Sequence, residues 1–250
     1  MGHPMAEDLS ALAEPGPEDL PRTLADRALV ILQRAILDGT LQPGQRLRIE
    51  ELGEVLGMST MPIREALRRL ASVGLVVHEA HRGAHVAELS ATDLHSIYDA
   101  RLALEPLAAR RAAERADGES LTRAEGTLDV LEEAVRRGAP DQWARHESFH
   151  FAVYEMATSE WLTRLIKPVW DSTARYRVGS TYKRGLAARL DEHRETLNAI
   201  RAGDADRAEA LMYNHLAASA NDLAERLGSA QRHHLRTVRT PRASRRRKAS

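Results

Sequence analysis

Four histidines carry the most distinctive chemistry in this chain. His146 and His150 lie four residues apart in "RHESFHFAVYEMA" at 145–157. That is about one helical turn, so both imidazoles share a face. The same face holds Trp143, Val153 and Ala157, so it is an apolar stripe. His193 falls in the row Leu186, Leu190, Leu197, Ile200, and His215 lies with Leu211, Met212 and Ala218. The four imidazoles, on three helices, all point inward, whereas His95 joins no such row. A single histidine on an apolar face is ordinarily a core residue bonded to a neighbour. Several buried without partners are costly. A metal ion would satisfy one nitrogen of each, and neutral imidazole suits zinc, nickel, copper, iron or cobalt. The chain has no cysteine, which excludes disulfides and thiolate ligands. The spacing alone leaves both readings open, a metal centre and a set of core histidines.

Two sets of cations offer other chemistry. Arg101 sits in the inward row Leu94, Ile97, Arg101, Glu105, Ala108. A charge there needs a partner. It either pairs with Glu105 one turn on or grips a ligand carboxylate, which its fork geometry suits. Tyr98 and Arg175 are further candidates for such a cavity. In "STMPIREALRRLASVG", Ile63, Leu67 and Leu70 form an inward stripe. Thr60, Met61, Arg64 and Arg68 cluster on another face, free to meet a partner. The bland reading of these arginines is a solvated helix face.

The elements around that helix decide between the two. A helix over 22–38 is followed by "LQPGQRLR", a turn entering a short strand. "IEELGEVLG" is a short helix closed by Gly57. Ser59 is placed to cap the next helix, and Pro62 falls in its first turn. "LVVHEAHRGAHVAEL" alternates around a glycine turn and reads as a β-hairpin. This order is a winged helix-turn-helix, whose third helix enters the major groove of DNA. Arg82, in the tight turn "HRG" at 81–83, then reaches the neighbouring backbone or minor groove.

From residue 91 to 227 the periodicity is helical, with breaks near Gly118, 138–140, Ser159, 179–185 and Gly203–Asp204. The fold class is therefore mainly α: an N-terminal winged helix-turn-helix (21–90) and a C-terminal all-α bundle (91–227). Residues 1–20 carry five acids and no Lys or Arg and read as a disordered arm. Residues 228–250 carry eight basic residues and no acid and read as a disordered tail. A net charge of zero hides this asymmetry. No apolar run is long enough to span a membrane, and the first residues lack a secretory signal, so a cytoplasmic, nucleoid-associated location is expected.

"ILDGTLQPGQRLRIEELGEVLGMSTMPIREALRRLASVGLVVHEAHRGAHV" resembles the DNA-binding domain of the GntR family of bacterial transcription regulators. The resemblance implies operator binding by Ser59, Thr60, Arg64 and the wing around Arg82 and Gly83. Two departures remove positive charge: Thr60 stands where members often have Arg, and Glu50 where some have a base. Residues 91–227 resemble the helical effector domain called FCD, found in the FadR-type branch, through "IYDARLALEPLAAR", "HESFHFAVYEMA", "DEHRETLNAIRAGD" and "ALMYNHL". In many members an Asp and three His hold a metal. His150, His193 and His215 match the three His, and His146 stands in place of the Asp. The change removes a negative charge and favours a nitrogen-preferring ion, zinc or nickel, over magnesium or calcium.

The expectation is a homodimeric regulator on a two-fold operator of double-stranded DNA. A small carboxylate effector, bound in a metal-containing pocket, would bias its DNA affinity. No membrane partner is expected. One alternative is a DNA-binding protein whose helical domain only dimerises around a structural metal. Another is a helical-bundle metalloenzyme. For the latter, Glu147-x-x-His150 is a single E-x-x-H where a di-iron site needs two, and H-E-x-x-H is absent. No enzymatic activity is expected.

Overall fold

Helix α1 (Leu24–Leu37) begins where the Thr23 hydroxyl accepts the Asp26 amide at 3.1 Å. Ala28, Leu32, Ala35 and Ile36 recur at helical spacing and are its buried face. The chain, a computed structural model, is described here for residues 12, 21, 23–79, 82–139, 141–177 and 186–238. Strand β1 (Arg46–Leu47) leads into α2 (Ile49–Leu56) and α3 (Thr60–Ser72). Between these two helices Gly57 adopts φ 63°, and a Cβ on Gly53 would meet the Met58 carbonyl at 2.8 Å. Only glycine at 53 lets the turn close this tightly. The hairpin β2 (Val76–Glu79) and β3 (Gly83–Val86) follows. The sheet order is β1-β3-β2, antiparallel throughout, with Leu47 opposite Ala84 and Val76 opposite Val86. Of the wing turn, His81 lies outside the described residues.

Ile63, Leu67 and Leu70 of α3 are fully buried against Leu32, Leu41, Leu52 and Leu75, as their stripe predicts. Ser59 occupies the N-cap position, but its hydroxyl makes no capping bond. Pro62, the third helical residue, has no N–H to give, which leaves only the Met61 amide as a capping donor.

The remainder is helical: α4 (Ala91–Arg115), α5 (Gly118–Arg137), α6 (Gln142–Glu155), α7 (Glu160–Ala174), α8 (Leu190–Arg201) and α9 (Ala205–Arg226). Two short 3-10 turns, Arg175–Arg177 and Ala187–Arg189, flank the stretch 178–185, whose expected break lies outside the described residues. Asp117 and Ser120 form a reciprocal capping box for α5, which ends at Gly138 with φ 63°. Among the described residues no helix is long and apolar enough to cross a membrane.

By packing, the chain forms two compact units. The first is drawn from Met1–Arg101, Leu165–Lys183 and Asp222–Gln231; the second from Leu102–Arg164, Arg184–Asn221 and Arg232–Ser250. The division differs from the linear one at 90/91. In the first unit Ser172 Oγ donates to the Val73 carbonyl at 2.6 Å, and Arg175 pairs with Asp93. The expected disordered arm lies outside the described residues apart from Leu12. The expected disordered tail requires correction for its first part. Residues 229–238 run back along α9, because Asn214 and Asn221 bind their backbone.

Candidate metal centre and nucleic-acid interface

In the second unit, α6 delivers His146 and His150, α8 His193 and α9 His215. All four are buried, and one ring nitrogen from each lies within 4.8 Å of the others. His150 Nε2 stands 3.1 Å from both His146 Nε2 and His193 Nε2. A tetrahedral ion with bonds of about 2.0–2.1 Å sets its ligand atoms roughly 3.3 Å apart, close to these two separations.

The surrounding hydrogen bonds fix where two of the lone pairs point. The Tyr154 hydroxyl donates to the fully buried Glu105 carboxylate, so its oxygen accepts from His150 Nδ1 at 2.9 Å. The proton on His150 is therefore at Nδ1, and Nε2 faces the cluster with a lone pair. Glu192 does the same for His215, accepting from Nδ1 at 2.7 Å. Burial, and after it the neighbouring His215, pushes the His193 imidazole well below its ordinary value. His193 is thus neutral and able to ligate. Its Nδ1 is buried with no hydrogen-bond partner among the described residues. Phe149 packs edge-on against His150 and His193, closing one side with an apolar ring. Four imidazoles with converging nitrogens are a donor set for a late divalent transition ion. That the four histidines would share one interior was legible in the sequence. The fixing groups Tyr154, Glu105 and Glu192 were missed; Tyr154, one turn after His150, was the legible one.

In the first unit, Arg101 is 2% exposed and lies between two rings, its guanidinium carbon 5.0 Å from the Tyr98 centroid and 4.6 Å from that of Trp170. It donates to Thr173 Oγ1 at 3.3 Å. Arg177 reaches the same hydroxyl at 2.9 Å and lies 5.2 Å from the Trp170 centroid. Tyr98 therefore joins Arg101 as expected, and Arg177, unforeseen, makes a second cation there. Arg175 is placed otherwise: its Nη2 binds Asp93 and the Tyr176 hydroxyl. It is engaged in an internal ion pair.

The candidate nucleic-acid face is also in the first unit. Ser59, Thr60, Met61, Arg64 and Arg68 are exposed along the start and outer side of α3, and Arg82 and Gly83 are exposed on the wing. Among the described residues neither Arg64 nor Arg68 has an ion pair or hydrogen bond, whereas Arg69 is held by Asp26 at 2.5 Å and Arg82 by Glu79 at 2.6 Å. A cavity of about 310 Å³ opens beside α3, lined by Arg46, Arg48, Glu50, Arg64, His78 and Gly83. Arg46 was not singled out from sequence, although alternation with buried Leu47 turns it outward.

The GntR family of bacterial regulatory proteins matches residues 24–86, and the FCD domain matches 96–218. The chain is 33% identical over 142 residues to an uncharacterised HTH-type transcriptional regulator, YdhC, of Bacillus subtilis, a match spanning 56% of this chain and 63% of that protein. It is 30% identical over 215 residues to another, BphR of Paraburkholderia xenovorans, covering 83% of this chain and 88% of the relative. A crystal structure of a GntR regulator from Rhodococcus sp. RHA1 superposes with TM-score 0.68 at 27% identity, covering 83% of this chain and 99% of the other. The winged helix-turn-helix, the helical bundle and these matches agree: the chain belongs to the GntR family of bacterial transcription regulators, in the branch with a C-terminal FCD domain.

Proposed function

We propose that this regulator binds a two-fold DNA operator as a homodimer, and that a small carboxylate acting on the helical domain biases that binding. The proposed division is a DNA-binding domain over 21–90 and an effector and dimerisation domain over 91–227. Arg64 and Arg68 carry the DNA reading, since both are exposed and uncommitted among the described residues. Ser59, Thr60 and Met61 reach base edges or phosphate from the start of α3, and Arg82 and Gly83 approach from the wing. His146, His150, His193 and His215 hold a zinc or nickel ion. When bound, the ion supplies positive charge and Lewis acidity, which attract a carboxylate. Arg101 and Tyr98 are proposed as a further carboxylate contact, with Arg177 added beside them. Arg175 is assigned instead to its pair with Asp93.

The observation that carries the effector reading is the four-histidine cluster. Its nitrogens converge, and partners outside the cluster orient two of the rings. An effector works only through unequal affinity for two arrangements of the protein. A second reading, an ion that only holds the fold together, draws support from the ligand count. Four imidazoles complete a tetrahedral shell, whereas a responsive site keeps an open position.

The decisive experiment is capture of fragmented genomic DNA by the purified protein, followed by titration of small organic acids on the recovered sites. An inverted repeat whose affinity shifts with one acid, and no longer shifts in Arg101→Ala, supports the proposal. A shared repeat insensitive to every acid establishes the purely structural ion. DNA without a shared motif defeats the operator reading.

A further inference from the structure

Asn214 and Asn221 stand seven residues apart on α9. Each closes a ring of two hydrogen bonds with the backbone of the segment that follows the helix. Asn221 Oδ1 accepts the His233 amide at 2.8 Å, and its Nδ2 donates to the His233 carbonyl at 3.0 Å. Asn214 treats Arg236 the same way, at 2.7 and 2.8 Å. A carboxamide offers a donor and an acceptor side by side, as the main chain of one extended residue does. Such pairing reads backbone and ignores side chains. The register follows from two rises. Seven helical residues advance about 10.5 Å, and three extended residues advance about 10 Å. Positions 214 and 221 of the helix therefore meet positions 236 and 233 of the strap, running antiparallel.

One side chain is read as well. The Arg236 guanidinium carbon lies 3.8 Å from the Tyr213 ring centroid, and its Nη1 donates to Glu209 at 3.1 Å. Glu209 and Asp206 both also accept from Arg110, so this stretch of α9 is a small acidic network.

We propose that this face of α9 is a binding site for an extended, arginine-bearing peptide segment, and that residues 232–236 of the chain are its built-in occupant. The connection from Leu227 to His233 is short, which places the occupant at an effective concentration of about a millimolar. Weak affinity is then enough to fill the site. The backbone at Arg236 is consequently held part-way along α9 and not at the end of that helix. An added segment with arginine at the same register competes for the site.

Hydrogen exchange on the full chain tests the seat. The amides of His233 and Arg236 should exchange slowly. In Asn214→Ala/Asn221→Ala they should exchange at least about tenfold faster, and trypsin should cut after Arg236 correspondingly faster, while the amides of α9 keep their rates. A fluorescent peptide of residues 229–240 tests the site itself. It should bind the full chain carrying Arg236→Ala, whose own occupant is weakened, and should fail to bind when the two asparagines are also replaced. Unprotected amides at 233 and 236 in the natural chain would overturn the proposal. So would peptide binding that ignores the asparagines, or no peptide binding to the Arg236→Ala chain at millimolar concentration.

Discussion

At the scale of residues, the helical domain depends on the direction of protons. His150 and His215 present lone pairs inward because Tyr154 and Glu192 accept at the opposite nitrogen. Tyr154→Phe removes that acceptor while keeping the ring, so metal affinity should fall about 10–100-fold with the helical content unchanged. Competition with a chromophoric chelator measures it, and an unaltered affinity would detach Tyr154 from the centre. Arg64→Ala should abolish specific operator binding without changing the far-ultraviolet circular dichroism; retained operator affinity would move the reading face elsewhere. The four histidines were legible because helix period alone assigns them to buried rows. Their supports were not, because Glu105 comes from α4, some forty residues before His150, and only the fold brings it to Tyr154. Arg101 was legible as an inward charge, but its ring partner Trp170 and the neighbouring Arg177 come from far along the chain.

At the scale of elements, the helix-turn-helix depends on one absent methyl. A Cβ at position 53 would stand 2.8 Å from the Met58 carbonyl, a backbone atom that cannot step aside without moving α3. Gly53→Ala should cost about 1–3 kcal/mol and lower the melting temperature; an unchanged melting temperature would show that the turn has slack. The pairing of α1 with α3 gives a pH signature. Hydrogen bonds from Thr23 and then Arg69 hold the Asp26 carboxyl below the usual carboxylate range. A depressed folded value means stability that is present above the unfolded carboxylate range and is lost as pH falls through the folded value. The melting temperature of the natural chain should therefore exceed that of Asp26→Asn near neutrality and converge with it in acid. A difference that persists in acid would exclude the carboxylate as its source. Helix boundaries were readable from caps and glycines, whereas the strap over 229–238 was hidden. Its composition says tail, and its seat depends on two asparagines whose spacing has meaning only against an extended chain.

At the scale of the whole molecule, a formal charge of zero conceals two exposed arginines, Arg64 and Arg68, that are unpaired among the described residues on the proposed DNA face. Operator affinity should fall linearly on a logarithmic scale as salt rises. Arg46→Ala should reduce that slope by about one for each protomer if Arg46 meets a phosphate; an unchanged slope would place Arg46 off the backbone. One local feature is the first turn of α3, where the Ser59 hydroxyl makes no capping bond and Pro62 offers it no amide at the third helical position. The amides of Thr60 and Met61 open the exposed first turn, at the positive pole of the helix dipole. On the proposed reading, a backbone phosphate would meet these amides, and the operator would complete the start of the reading element.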